Sequence, residues 1–130
     1  MAEGKRDRIL IVEDDVSLAR IMGRLLESVG YDVSHAPTGI AALAYADEHA
    51  IDLVILDLRL PDMNGYEVCA KLRHEFTSWS LPIVMLTGMD KPVDQLRGFA
   101  RGADAYLTKP CEPPELIKTI GLLLGQSTQS

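Results

Sequence analysis

The chain has 130 residues, is 47% hydrophobic and 25% charged, and carries a formal net charge of −6. That length bounds one domain with a sizeable core, and an acidic surface without runs of lysine or arginine speaks against direct nucleic-acid binding by this domain. No apolar run reaches the length that crosses a membrane, the run after the charged start is too short for the core of a secretion signal, and Cys69 and Cys111 form no paired motif, so the expected setting is the cytoplasm.

Residues 1–7 read as an N-terminal extension. Ile9–Val12 is short and apolar without two-residue alternation, the pattern of a strand covered on both faces. Glu13, Asp14 and Asp15 follow it. Leu18, Ile21, Met22, Leu25, Leu26 and Val29 recur at three- and four-residue steps and predict a helix burying that stripe, with Gly30 at its C-terminal cap. Val33–Ala36 predicts a second strand and Thr38–Glu48 a second helix. Leu53–Leu56 predicts a third strand that delivers Asp57. A helix beginning near Asn64 turns Val68, Cys69 and Leu72 inward. Ile83–Leu86 predicts a fourth strand, followed by Thr87 and Gly88, and a helix over Val93–Arg101 stops at Gly102. Ala105–Leu107 predicts the fifth strand, followed by Thr108 and Lys109. The last helix opens at Pro113 and Pro114, where a first turn tolerates proline, and buries Leu116, Ile117, Ile120, Leu123 and Leu124. Residues 125–130 read as a flexible tail or the start of a linker.

Five strands alternating with five helices imply an α/β fold with a parallel sheet between two helical layers. In such folds ligands bind beyond the carboxyl ends of the strands, near the point where strand order reverses. The polar residues after the strands all belong to that edge: Glu13, Asp14, Asp57, Thr87 and Lys109. Three converging carboxylates repel one another, and a hard divalent cation with open coordination positions resolves the conflict. Lys109 adds a compact positive charge and Thr87 a hydroxyl donor. Such a set suits a phosphoryl group, whose transfer needs mainly positioning and charge neutralisation, and a carboxylate can itself be the nucleophile. Asp57, at the end of the central strand, is the best placed. Each residue alone has an ordinary reading: an acidic helix cap, a turn aspartate, a surface lysine, a packing tyrosine. Independent ordinary causes do not collect all of them on one sheet edge. Asp15 reads as a helix cap, and Cys69 as core.

The stretches "ILIVEDD", "DLVILDLRLPDMNGYEV", "PIVMLTG" and "GADAYLTKP" resemble, in order and spacing, the receiver domain of two-component response regulators, over residues 8–124. The resemblance implies a flavodoxin-like, doubly wound, three-layer fold of five strands in the order 2-1-3-4-5 with five helices. It implies a signalling domain rather than an enzyme, one that assists its own phosphotransfer and slow dephosphorylation. Asp57 would accept a phosphoryl group from a sensor histidine kinase or a histidine phosphotransfer protein. Glu13, Asp14, Asp57 and the backbone carbonyl of Arg59 would hold Mg2+, for which Mn2+ can substitute. Thr87 and Lys109 would contact the phosphoryl oxygens, Tyr106 would be the aromatic switch, and Lys109–Pro110 would be a cis peptide. The face of the fourth helix, fifth strand and fifth helix would signal to an output domain or effector, the chain being a monomer or a weak dimer through that face. Four positions depart from the family's habit. Glu13 stands where Asp is commoner, which implies a water-mediated metal contact. Cys111 replaces the aromatic that commonly follows Lys-Pro. Ala105 and Thr119 replace the Asp and Arg of the salt-bridged dimer in the winged-helix branch.

Three rivals were weighed. A flavin-phosphate loop needs small residues with free amides, whereas "VEDDVS" is acidic. An aspartyl-phosphate phosphatase needs a second acid two residues on, and that position is Arg59. A receiver-like interaction module working without phosphorylation is the alternative that the intact acid, threonine and lysine set argues against.

Overall fold

The structure, a computed structural model, describes residues 6–125; most of the predicted extension and tail lies outside the described residues. Ten elements alternate along the chain: β1 (Arg8–Val12), α1 (Val16–Ser28), β2 (Asp32–Ala36), α2 (Gly39–Glu48), β3 (Leu53–Leu56), α3 (Gly65–Glu75), β4 (Ile83–Thr87), α4 (Pro92–Ala100), β5 (Ala105–Thr108) and α5 (Pro113–Leu123). The strands form one parallel sheet in the order β2-β1-β3-β4-β5. Strand order reverses between β1 and β3, so the loops after these two strands flank the crevice where such sheets bind ligands.

Successive strand residues point to opposite faces, which divides the core in two. Leu10, Val12, Val54, Leu56 and Met85 pack with Ala42, Val68, Cys69 and Leu72 of α2 and α3. Ile9, Ile11, Leu53, Ile55 and Leu86 pack with Met22 and Leu26 of α1 and Leu116 and Ile120 of α5. The central strands are buried on both faces, which is why their sequences show no alternation.

Local signals fix the helix ends. Asp15 caps α1 by accepting from Leu18 N, Thr38 caps α2 through Ala41 N, and Asn64 caps α3 through Glu67 N. Gly30 and Gly102 adopt φ of 104° and 108°, the left-handed conformation that ends α1 and α4 at no steric cost.

The structure corrects the predicted face of α1. Ile21 is 65% and Val29 47% exposed, while Ala19, Met22, Gly23 and Leu26 are buried. The helix lies close to the sheet along its small residues: a Cβ on Gly23 would sit 3.5 Å from the Val33 side chain. Close approach narrows the buried stripe and leaves Ile21 on the flank toward α5. Thr87 and Thr108, read as following their strands, are the last residues of β4 and β5.

Candidate functional site

Four loops bring the predicted residues to one edge of the sheet. Glu13 follows β1 and Asp57 follows β3, and Asp57 N–H extends the ladder by donating to Val12 O at 3.0 Å. Thr87 ends β4, and Lys109 follows β5 with its N–H donating to Thr87 O at 2.8 Å. The Lys109–Pro110 peptide is cis.

Lys109 ties the edge together. Its Nζ lies 2.7 Å from Glu13 Oε1 and 2.9 Å from Asp57 Oδ2. Both carboxylates are almost fully buried, Glu13 at 2% and Asp57 at 6% exposure. Glu13 Oε2 accepts from Asp15 N–H at 3.1 Å, and Asp57 Oδ1 accepts from Arg59 N–H at 3.3 Å. Asp14 is exposed. Oxygens of Glu13, Asp14 and Asp57 all lie within 4.8 Å of one another.

Burial pushes the Glu13 carboxyl above its ordinary value; the Lys109 and Asp15 hydrogen bonds pull it back, and the charge of Asp57 adds to the rise. For Lys109 burial works against the ammonium, but the hydrogen bonds to Glu13 and Asp57 and their charges outweigh it and the pKa is raised. The edge is thus a desolvated anionic cluster with one ammonium, a donor set that fits a hard divalent cation.

Thr87 is fully buried, and its Oγ1 accepts from Met89 N–H at 3.4 Å. Tyr106, on β5, donates its hydroxyl to Met89 O at 2.7 Å. Its ring lies 6.4 Å from that of Phe99 and presses on Gly98, where a Cβ would come within 2.9 Å of the ring. Burial raises the Tyr106 phenol, so the hydroxyl stays a donor. Arg59 holds its side chain exposed on the loop after Asp57, where it bridges to Asn64. The thiols of Cys69 and Cys111 are both pushed up to about 11, chiefly by burial, which keeps them unreactive.

The profile of the response regulator receiver domain matches residues 9–121. The chain belongs to the response regulator receiver domain family. This receiver domain is 40% identical over 120 residues to the DNA-binding dual master transcriptional regulator RpaA of Synechocystis, covering 92% of this chain and 50% of that one. It is 44% identical over 115 residues to the DNA-binding response regulator MtrA of Mycolicibacterium paratuberculosis, covering 88% and 50%. The chain therefore spans about half the length of these curated relatives. Among solved structures, a CheY-like receiver domain of Methanospirillum hungatei superposes with a TM-score of 0.88 at 31% identity, covering 97% of this chain and 100% of that one. The flavodoxin-like fold and strand order expected from sequence are those observed.

Some residues of the receiver site escaped the sequence reading. His35 Nε2 lies 2.6 Å from the Glu13 carbonyl oxygen, and Tyr66 donates its hydroxyl to Asp94 O at 2.9 Å. Arg97 stacks over the Tyr66 ring at 4.7 Å. No local signal reports such pairs, because their partners are far apart along the chain. Asp62, inside "DLVILDLRLPDMNGYEV", carries no sequence signal of its role; its carboxylate accepts from the amides of Gly39 and Ile40.

Proposed function

We propose that this receiver domain, spanning residues 8–124 and working in the cytoplasm, accepts a phosphoryl group on Asp57 from the phosphohistidine of a sensor kinase or phosphotransfer protein. The observation that carries the reading is the Lys109 ammonium, shared between buried Asp57 and Glu13 at the crevice of the sheet. An Asp57 carboxylate oxygen would attack phosphorus, a P–O bond forming as the N–P bond breaks; with the donor ring protonated at its other nitrogen, the bonding pair stays on the ring and the imidazole leaves neutral. Lys109 and Thr87 stand where they can meet the phosphoryl oxygens. Mg2+, with Mn2+ as a substitute, would be held by Asp14, Asp57 and the Arg59 carbonyl; it would supply the positive charge that lets an anionic donor approach. Glu13, one methylene longer than the aspartate commoner at its position, would meet the ion through water.

The donor protein would cover the edge beside Lys109, where a groove of about 440 Å³ between α1 and α5 is lined by Leu18, Ile21, Leu25, Pro110 and Cys111. The readout would use the face of α4, β5 and α5. Val93, Leu96 and Phe99 are exposed along α4 and Leu122 on α5, an apolar patch suited to an output domain, an effector or a second copy in a weak dimer. The DNA-binding relatives are about twice as long, so any nucleic-acid binding would belong to sequence outside this domain. No helix among the described residues is long and apolar enough to cross a membrane.

The test is intact mass after incubation with a small phosphodonor and Mg2+. Wild type should gain one phosphoryl group and Asp57→Asn none. An adduct that persists in Asp57→Asn at the wild-type level would refute the assignment.

A further inference from the structure

The loop between β3 and α3 follows Asp57 and contains Arg59. Its two ends are closed by Gly65 N–H donating to Leu58 O at 2.8 Å and by the bridge between Arg59 and Asn64. Those bonds close the loop on itself, with buried Leu58 and Gly65 rooting its two ends. Its middle needs an outside anchor.

That anchor is the start of α2. The first four amides of a helix have no partner within it. In α2 the third and fourth are satisfied locally: Ala41 N–H donates to Thr38 Oγ1 at 3.0 Å and Ala42 N–H to Thr38 O at 3.0 Å. The first two are satisfied from 22 and 23 residues away. Gly39 N–H donates to Asp62 Oδ1 and Ile40 N–H to Asp62 Oδ2, both at 2.8 Å. Both oxygens of one carboxylate are therefore used, at the positive end of the helix dipole, where a negative charge is favoured. The Ile40 and Gly39 bonds hold the Asp62 carboxyl below its ordinary value, so it is charged at neutral pH. Packing adds a second tie. A Cβ on Gly39 would fall 2.5 Å from Met63 Cγ and 2.8 Å from its sulfur, so the missing side chain is the seat of Met63.

We propose that Asp62 is a positioning residue for the metal site: by clamping the loop onto the N-terminus of α2 it sets the place of the Arg59 backbone relative to Asp14 and Asp57. The inference rests on the cation site proposed above. Asp62 touches neither metal nor phosphoryl group. Its effect reaches them through Pro61 and Leu60, a span short enough that releasing Asp62 lets the Arg59 carbonyl move. It also makes α2 part of the site's support, although α2 supplies no residue to the site.

The test compares Asp62→Ala with Thr38→Ala. Each variant removes side-chain bonds from the start of α2, and only the first frees the loop. Isothermal titration with Mg2+ alone reads the metal site without a phosphodonor. The Mg2+ dependence of phosphorylation is then recorded as half-saturating concentration against rate at saturation. Asp62→Ala should weaken Mg2+ binding about tenfold, the low end of what losing a residue that orients metal ligands costs. Its rate at saturating Mg2+ should stay near wild type, and the Gly39 and Ile40 amide resonances should move upfield. Thr38→Ala should lower the melting temperature and leave Mg2+ affinity unchanged. Wild-type Mg2+ affinity in Asp62→Ala would overturn the proposal, as would an equal loss in Thr38→Ala, which would make helix fraying the cause. Absence of Mg2+ binding in wild type would sink the cation site and this inference with it. Binding without phosphorylation would sink only the phosphoacceptor reading.

Discussion

Replacing Lys109 with alanine separates the two roles of its amine. The side chain is 26% exposed, while its partners Glu13 and Asp57 are 3% and 8% exposed. Removal leaves two buried carboxylates facing each other with no counter-charge. Breaking a fully buried pair costs about 3–5 kcal/mol, and partial exposure of the ammonium brings the expectation down to about 2 kcal/mol at neutral pH. For a domain of this size that is a loss on the order of 8 °C in melting temperature. The pH dependence follows from the direction of the Glu13 shift. Its folded pKa already lies above the unfolded value, because burial outweighs the help from Lys109. An acid raised on folding favours the folded state when protonated, and that contribution disappears as pH rises through its folded pKa. Without Lys109 the shift grows, so the deficit of Lys109→Ala should shrink from pH 7 to pH 5. Lys109 itself, raised on folding, contributes fully at both of these pH values and loses its contribution only as pH climbs through its folded pKa. Millimolar Mg2+ should close part of the gap at pH 7 by supplying the missing charge. The assay is thermal melting of both proteins at each pH, with and without Mg2+. An equal deficit at pH 5 and pH 7, untouched by Mg2+, would refute the assignment of Lys109 as the counter-charge. In the folded variant, the amide shift changes from Gly88 to Leu107 caused by phosphorylation or beryllofluoride should largely vanish.

Asp14→Asn should weaken Mg2+ binding more than Glu13→Gln, because Asp14 would meet the ion directly and Glu13 through water; titration calorimetry reads the order, and the reverse order removes the water-mediated assignment. Phosphorylation with a chelator in place of Mg2+ should fall at least tenfold, since the clustered acids then repel the donor, and equal rates would exclude a metal role. Arg73→Ala should cost about 3 kcal/mol in denaturant melts, because a mostly buried guanidinium bonds Gly102 O, Phe76 O, Leu81 O and the carboxylate of Asp104. It should leave the phosphorylation yield of the folded protein unchanged, since this network lies at the opposite edge of the sheet.

The sheet was legible because its central strands are buried on both faces, which forces continuous apolar runs such as Leu53–Leu56. The gathering of Glu13, Asp57, Thr87 and Lys109 on one edge was legible because each lies at or just past the end of its strand. The face of α1 was not. Periodicity marks every apolar position alike, whereas the buried stripe was decided by how closely Ala19 and Gly23 let the helix approach, leaving Ile21 to the groove beside α5. The bonds of Asp62, Tyr66 and Arg73 were illegible for a different reason. All but the Arg73–Phe76 bond link residues 8 to 31 positions apart, and a single chain carries no record of which polar pairs meet.

The charge balance of the edge explains why one residue can serve both the resting and the modified state. Glu13, Asp14 and Asp57 set three negative charges against the single positive charge of Lys109. Two negative charges are left over, the charge a divalent cation neutralises. On the proposed function, a bound cation would leave the edge near neutral and let an anionic donor approach. A phosphoryl group on Asp57 would then replace one negative charge by about two, and move it outward beyond the carboxylate. Lys109, held by Asp57 at 2.9 Å, would be drawn toward the new oxygens, and so would the buried hydroxyl of Thr87. Thr87 Oγ1 now accepts from Met89 N–H, and Met89 O holds the Tyr106 hydroxyl. A hydroxyl that turns to the phosphoryl group gives up the first bond and loosens the residue that anchors the second. On the proposed function, a signal would run from Thr87 on β4 to Tyr106 on β5 through these two hydrogen bonds, which meet at Met89.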